Sequence, residues 1–164
     1  MGIEFSMWQI APDELARLLT SEDAVDDFME SRFPETYDED YEDDGLSLEK
    51  IWHLLHYLIT GDAENEEYPL AYAIMVGYLL HKSWNNLIYL PSDEVREVSD
   101  AISSLSEDDF YMKYKPESVS ELDIYKYPSV HKEDVDDALE YFRKLKDYYQ
   151  DAANKGNAML RYFH

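Results

Sequence analysis

The hydrophobic positions change period several times along the chain. Ile3, Phe5 and Met7 alternate with Glu4 and Ser6, the two-residue period of a half-buried strand. Pro12 followed by Asp13 and Glu14 then reads as a helix start. Proline lacks only an N–H that would be unpaired there, and the acids oppose the helix dipole. Leu15, Leu18 and Leu19 form the expected buried stripe of that helix. Ser21 opens a second helix as its cap, with Val25, Phe28 and Met29 at the same spacing and Pro34 as its end. The segment ETYDEDYEDDG has no periodicity and too many like charges to pack, which predicts a solvated loop.

Ser47 is expected to start the most apolar helix, SLEKIWHLLHYLITG. Leu48, Ile51, Trp52, Leu54, Leu55, Leu58 and Ile59 cover most of its circumference, and Gly61 supplies a left-handed cap. YPLAYAIMVGYLL predicts a helical turn passing into extended chain near Gly77, and LIYL at 87–90 a short strand before Pro91. Ser92 starts a helix with Val95, Val98, Ile102 and Leu105 facing inward. Ser106 and Asp109 cap a further one through Phe110 and Tyr114, closed by Pro116. Residues 123–131 are tyrosine-rich and aperiodic. Val135, Ala138, Leu139, Phe142, Leu145, Tyr149 and Ala152 trace one face of a long helix ending at Gly156, and AMLRYFH reads as a terminal strand. Strands in one compact domain rarely stay unpaired, so the two ends are expected to meet in a small sheet. The fold class is α+β, a predominantly helical single domain over residues 1–164 whose small sheet includes the N- and C-terminal strands.

Composition narrows the function classes. The 164 residues include no cysteine, which removes disulfides, thiolate metal sites and a cysteine nucleophile. No apolar run approaches a membrane span and no basic leader precedes the first strand, so no membrane association and a cytoplasmic location are expected. Gly2 and Ser6 fit a myristoylation pattern, but a strand paired in a sheet is not a free acylated tail. A formal net charge of −23 repels polyanions, so nucleic acid is not an expected partner. About half of that charge lies in residues 12–44, where Arg17 and Arg32 face an excess of carboxylates.

The chain resembles the YfbM-like family, a domain of unknown function numbered 1877. The resemblance rests on the MGIEF start, the KIWHLLHYLITG segment, PLAYAI, YLPSDEV, and the closing NKGNAMLRYFH. The WHxLHxLxTG pattern, Trp52 to Gly61, is its most specific part. It implies a small bacterial domain with an α/β or α+β core and carries no activity or catalytic residue with it. Two features depart from the family pattern: Val76-Gly77-Tyr78 stands where a Gly-Gly pair is usual, and Ser83-Trp84-Asn85-Asn86 where a Gly-Tyr-Gly-Pro-like turn is usual.

Two groups of residues are candidates for chemistry. His53 and His56, three apart on the predicted helix, share a face with Glu49, and Trp52, Tyr57 and Tyr72 could line a cleft beside them. A ligand-binding set of Trp52, His53, His56 and Tyr72 follows, for an enzyme or small-ligand binder. The bland alternative is a set of core histidines satisfied by backbone carbonyls. Zinc needs three or four ligands and the spacing is not that of a metalloprotease, so no metal is expected. Asp38, Asp40 and Glu42 lack the glycine and terminal glutamate of a calcium loop. Neighbouring acids such as Asp26-Asp27 diverge by about 100° on a helix and do not share a site. With no Gly-rich phosphate loop and no nucleophile elbow, no cofactor is expected. The second group is the acidic loop, where Tyr37, Asp38, Asp40, Tyr41, Asp43 and Asp44 would dock a basic protein partner. An inhibitor or immunity factor capping a cationic toxin has this character, and so does an ordinary solvated loop. Of the two, the acidic interaction module is the expected function; whether the chain is an enzyme, and its oligomeric state, stay open.

Overall fold

The structure, a computed structural model, describes residues 2–34, 44–114 and 123–164. Five antiparallel strands form one sheet in the order β2-β1-β5-β4-β3. They are β1 (Phe5–Ile10), β2 (Leu46–Glu49), β3 (Tyr78–Leu79), β4 (Leu87–Leu90) and β5 (Ala158–Phe163). The ends of the chain pair as expected: β1 and β5 run antiparallel from Phe5 opposite Phe163 to Ile10 opposite Ala158.

The sheet is the middle of three layers. Side chains alternate across a strand, so Phe5 and Met7 of β1 enter one core while Trp8 and Ile10 enter the other. Met159 and Leu160 of β5 divide in the same way. The smaller core lies under α1 (Pro12–Thr20) and α2 (Glu22–Arg32). The larger lies under α3 (Trp52–Thr60), α4 (Ser92–Ser103), α5 (Glu107–Lys113) and α6 (Lys132–Lys155). A central strand covered on both faces needs inward-facing residues at every position. β5 meets that demand: Ala158, Met159, Leu160 and Arg161 are all buried.

Caps follow the sequence closely. The Ser21 hydroxyl accepts the Ala24 N–H at 3.1 Å, and Ser106 with Asp109 forms the reciprocal capping box. Gly61, at φ 84°, ends α3 in the left-handed region. Leu70–Ala73 is the short helical turn expected before extended chain at β3. Two expectations fail. The central helix does not begin at Ser47 but at Trp52, because LSLE pairs with β1, burying Leu48 and packing Leu46 partly against the core. Leu48 and Ile51 are therefore buried as strand and turn residues, and Glu49, at φ 47°, leaves the face of His53. Leu19, placed in the stripe of α1, is instead 39% exposed, because Leu15 and Leu18 fill the contact with the sheet.

The larger core also holds a buried cation. Arg161 is fully buried, and its guanidinium donates to the carbonyls of Tyr72 (2.6 Å), Ile74 (3.1 Å) and Val76 (2.6 Å). The irregular segment 72–76 thus turns three carbonyls onto one cation. Gly77 is required by this close approach: a methyl group there would lie 2.2 Å from Arg161 Nη2 and 3.0 Å from the Tyr89 carbonyl oxygen. Gly77→Ala is expected to displace the guanidinium and cost about 3 kcal/mol, seen as a lower urea midpoint with an unchanged slope. A midpoint equal to that of the unaltered chain would mean that the guanidinium is not held in place.

Candidate functional site

α2 places Asp26, Met29, Glu30 and Phe33 at intervals of three and four residues, so they form one stripe along the helix and its end. Phe33 caps α2, its N–H donating to the Met29 carbonyl at 2.9 Å. The turn between β3 and β4 is held against α1 and α2 by three contacts, the last of them on this stripe. His81 Nε2 donates to the Leu18 carbonyl (2.7 Å), the Ser83 hydroxyl donates to Glu22 (3.2 Å), and the Trp84 indole N–H donates to Asp26 Oδ1 (2.8 Å). The end of β5 adds Tyr162 and His164 from the sheet side.

Between these elements lies a cleft of about 350 Å³ lined by Asp26, Met29, Glu30, Phe33, Trp84, Tyr162 and His164. Its rings are mutually braced. Phe33 meets Tyr162 at 5.7 Å and 58°, and Trp84 meets Tyr162 at 5.9 Å and 70°. His164 stacks on Tyr162 at 5.2 Å and 10°. The non-parallel rings make walls of a concave site, and Asp26 and Glu30 stand on its exposed rim. Burial lowers the His164 imidazole below its ordinary value, against a weaker opposing pull from Glu4, and its Nε2 lies 2.9 Å from the Ser6 hydroxyl. A neutral ring therefore completes the wall at neutral pH. Arg32, close by in sequence, pairs with Asp44 at 3.4 Å and lies over the Phe28 ring. Ring faces carry the negative end of their quadrupole and the rim carries carboxylates, so the cleft favours a cation over a neutral or anionic guest.

The residues singled out from sequence are distributed differently. His53 accepts the Tyr125 N–H on Nδ1 (2.9 Å), so Nε2 carries the proton and donates to the Ala63 carbonyl (3.0 Å). His56 donates from Nε2 to the Asn65 carbonyl (3.1 Å), while its buried Nδ1 has no hydrogen-bond partner among the described residues. Trp52 stacks on His53 and Tyr125, and its indole N–H donates to the Ile3 carbonyl at 2.9 Å. Tyr72 is apart from them, between Tyr68 and Tyr78, with its carbonyl on Arg161. The structure thus joins Trp52 to His53 but does not bring Tyr72 to them. Glu49 accepts the Tyr141 hydroxyl rather than facing either imidazole. Among the described residues, no group of three or more His, Asp or Glu is arranged to hold a metal. Of the acidic-loop set, Asp44 is exposed, and its carbonyl accepts the Tyr148 hydroxyl at 3.2 Å. Tyr37, Asp38, Asp40, Tyr41 and Asp43 lie outside the described residues.

Sequence reasoning missed the cleft. The stripe on α2 was legible as a mixed acidic and apolar face, and Trp84 stood where the family pattern departs. Nothing in linear spacing brings Trp84, Tyr162 and His164 to that stripe.

His56 gives the fold a pH dependence. Burial, with a smaller push from His53, lowers its pKa from 6.5 to about 4, against weaker support from Asn65 and Asp62. Between those values the unfolded chain binds a proton that the folded chain does not, so stability is lost as pH falls through that window, by up to about 3 kcal/mol. His56→Gln, which can still donate to Asn65, is expected to flatten the decline in Tm between pH 7 and 4.5. An identical decline in both proteins would assign the acid sensitivity elsewhere.

Comparison with known proteins agrees with this architecture. Among solved structures, the chain is similar to a protein of unknown function, YfbM from Escherichia coli, with a TM-score of 0.73 at 19% identity over 98% of this chain and 99% of that one. At that identity the likeness shows the fold alone. Among curated proteins, no match is found. The family model described as a domain of unknown function, DUF1877, matches residues 1–162, and by that match across nearly its whole length the chain belongs to the DUF1877 family.

Proposed function

We propose that this chain is an interaction module that docks a basic protein through the face made by α2, the β3–β4 turn and the end of β5. The observation that carries the reading is the cleft: aromatic walls and a carboxylate rim occur together, on the layer that holds much of the acidic N-terminal third. Charge alone would serve solubility. A braced concave aromatic surface at the same place gives a partner something to bury, and aromatic side chains are the usual anchors of interfaces. The net charge of −23 adds long-range steering toward a cationic surface. A partner-capping role, as of an inhibitor, is consistent with a module that offers charge and shape. The face around His53 is a weaker candidate for ligand chemistry, because both ring nitrogens of that residue are already engaged.

The test uses a partner captured from lysate and then purified, with binding measured at about 50 and 300 mM salt. Asp26→Asn combined with Glu30→Gln is expected to weaken binding about tenfold at the lower salt, roughly the effect of two rim charges. The same charge change on α6, Glu133→Gln with Asp147→Asn, is expected to leave binding nearly intact. Equal losses from the two pairs, or binding indifferent to salt, would reject the docking face.

A further inference from the structure

We infer that the cleft walled by Phe33, Trp84 and Tyr162 receives an arginine side chain of the basic partner. This deepens the docking reading and rests on it. Three features of the cleft select the group.

First, the walls are rings set at steep angles, Phe33 at 58° and Trp84 at 70° to Tyr162. A planar, weakly hydrated guanidinium can stack on such a face and keep its in-plane N–H groups for other acceptors, whereas a lysine ammonium holds its water tightly and gives up more on entering. Second, the acceptors are present. Asp26 and Glu30 stand four apart on α2, on one face of the helix, and carboxylates match the guanidinium fork. The Trp84 indole N–H holds Asp26 Oδ1 at 2.8 Å, so one wall and one rim carboxylate are positioned together. A quaternary ammonium has no N–H and could use the rings but not the hydrogen-bonding capacity of that rim. Third, the cleft of about 350 Å³ has room for one arginine side chain, and Met29 provides an apolar floor for its methylenes.

The inference separates from general acidic attraction by comparing peptides of equal charge. Two short peptides, alternating glycine with arginine or glycine with lysine, would be titrated into the full chain at low salt. The Trp84 indole N–H resonance, assigned by its loss in Trp84→Phe, would be followed by NMR. The arginine peptide is expected to shift that resonance and to bind about fivefold more tightly than the lysine peptide. Phe33→Ala is expected to remove most of that margin, since one exposed cation–π wall is worth about this much. Phe33 is 38% exposed, so its truncation leaves the fold in place, and the Tm of the variant checks this. Equal affinities with a stationary Trp84 resonance would overturn the arginine cleft and leave charge-driven docking standing. Binding of neither peptide would overturn both readings. A trimethyllysine peptide that outcompetes the arginine peptide would replace guanidinium recognition with quaternary-ammonium recognition.

Discussion

A single buried cation fixes how the sheet and the larger helical layer meet. Arg161 sits on the central strand with no solvent exposure and no carboxylate within hydrogen-bonding distance among the described residues. Desolvation pushes its pKa down, against smaller upward pulls from Tyr149 and Glu94. Taking such a charge out of water costs several kcal/mol, which only fixed acceptors can offset. The carbonyls of Tyr72, Ile74 and Val76 perform that task from the end of a short helical turn and the irregular chain that follows it. Tyr149 of α6 donates to the Ala73 carbonyl at 2.6 Å, tying the long helix to the same segment. Strand, irregular segment and helix are thereby held by one polar knot in a largely apolar core. An apolar side chain at position 161 would fill space but leave those carbonyls unpaired.

The three-layer arrangement explains why charge and aromatic surface coincide on one side. Among the described residues the larger core is covered by four helices, and the smaller by α1, α2 and the β3–β4 turn. Two short helices cannot cover the whole sheet face. The rings at its edge, Phe33, Trp84 and Tyr162, are therefore left partly open to solvent. Since α2 keeps its carboxylates outward, the same geometry that leaves the rings open puts acids around them. Among the described residues, the cleft lies where the acidic helix pair stops short of the sheet edge.

The helices and their caps were legible in the sequence because they depend on neighbours within four residues. Ser21, Ser106, Gly61 and the long apolar stripe of α6 behave as their local chemistry requires. Pairing of the terminal strands was also legible, since two isolated strands have few other partners. Local reading failed at LSLE, where helical spacing and strand alternation both fit and the choice was made by an open edge of β1. At His53 and His56 backbone carbonyls were legible as the kind of partner, but not which residues, because Ala63, Asn65 and Tyr125 belong to loops that no periodicity describes.

What the sequence determined by itself is thus most of the elements, the α+β class and a large negative net charge. All of these follow from short-range spacing or from summed charge. The tertiary structure alone decided which side chains share a site. Asp26 and Trp84 are 58 residues apart, yet they share a hydrogen bond, because β4 lies beside β5 and its turn reaches α2. Contacts at that separation depend on strand order and layer packing, which are properties of the whole chain and not of any segment of it.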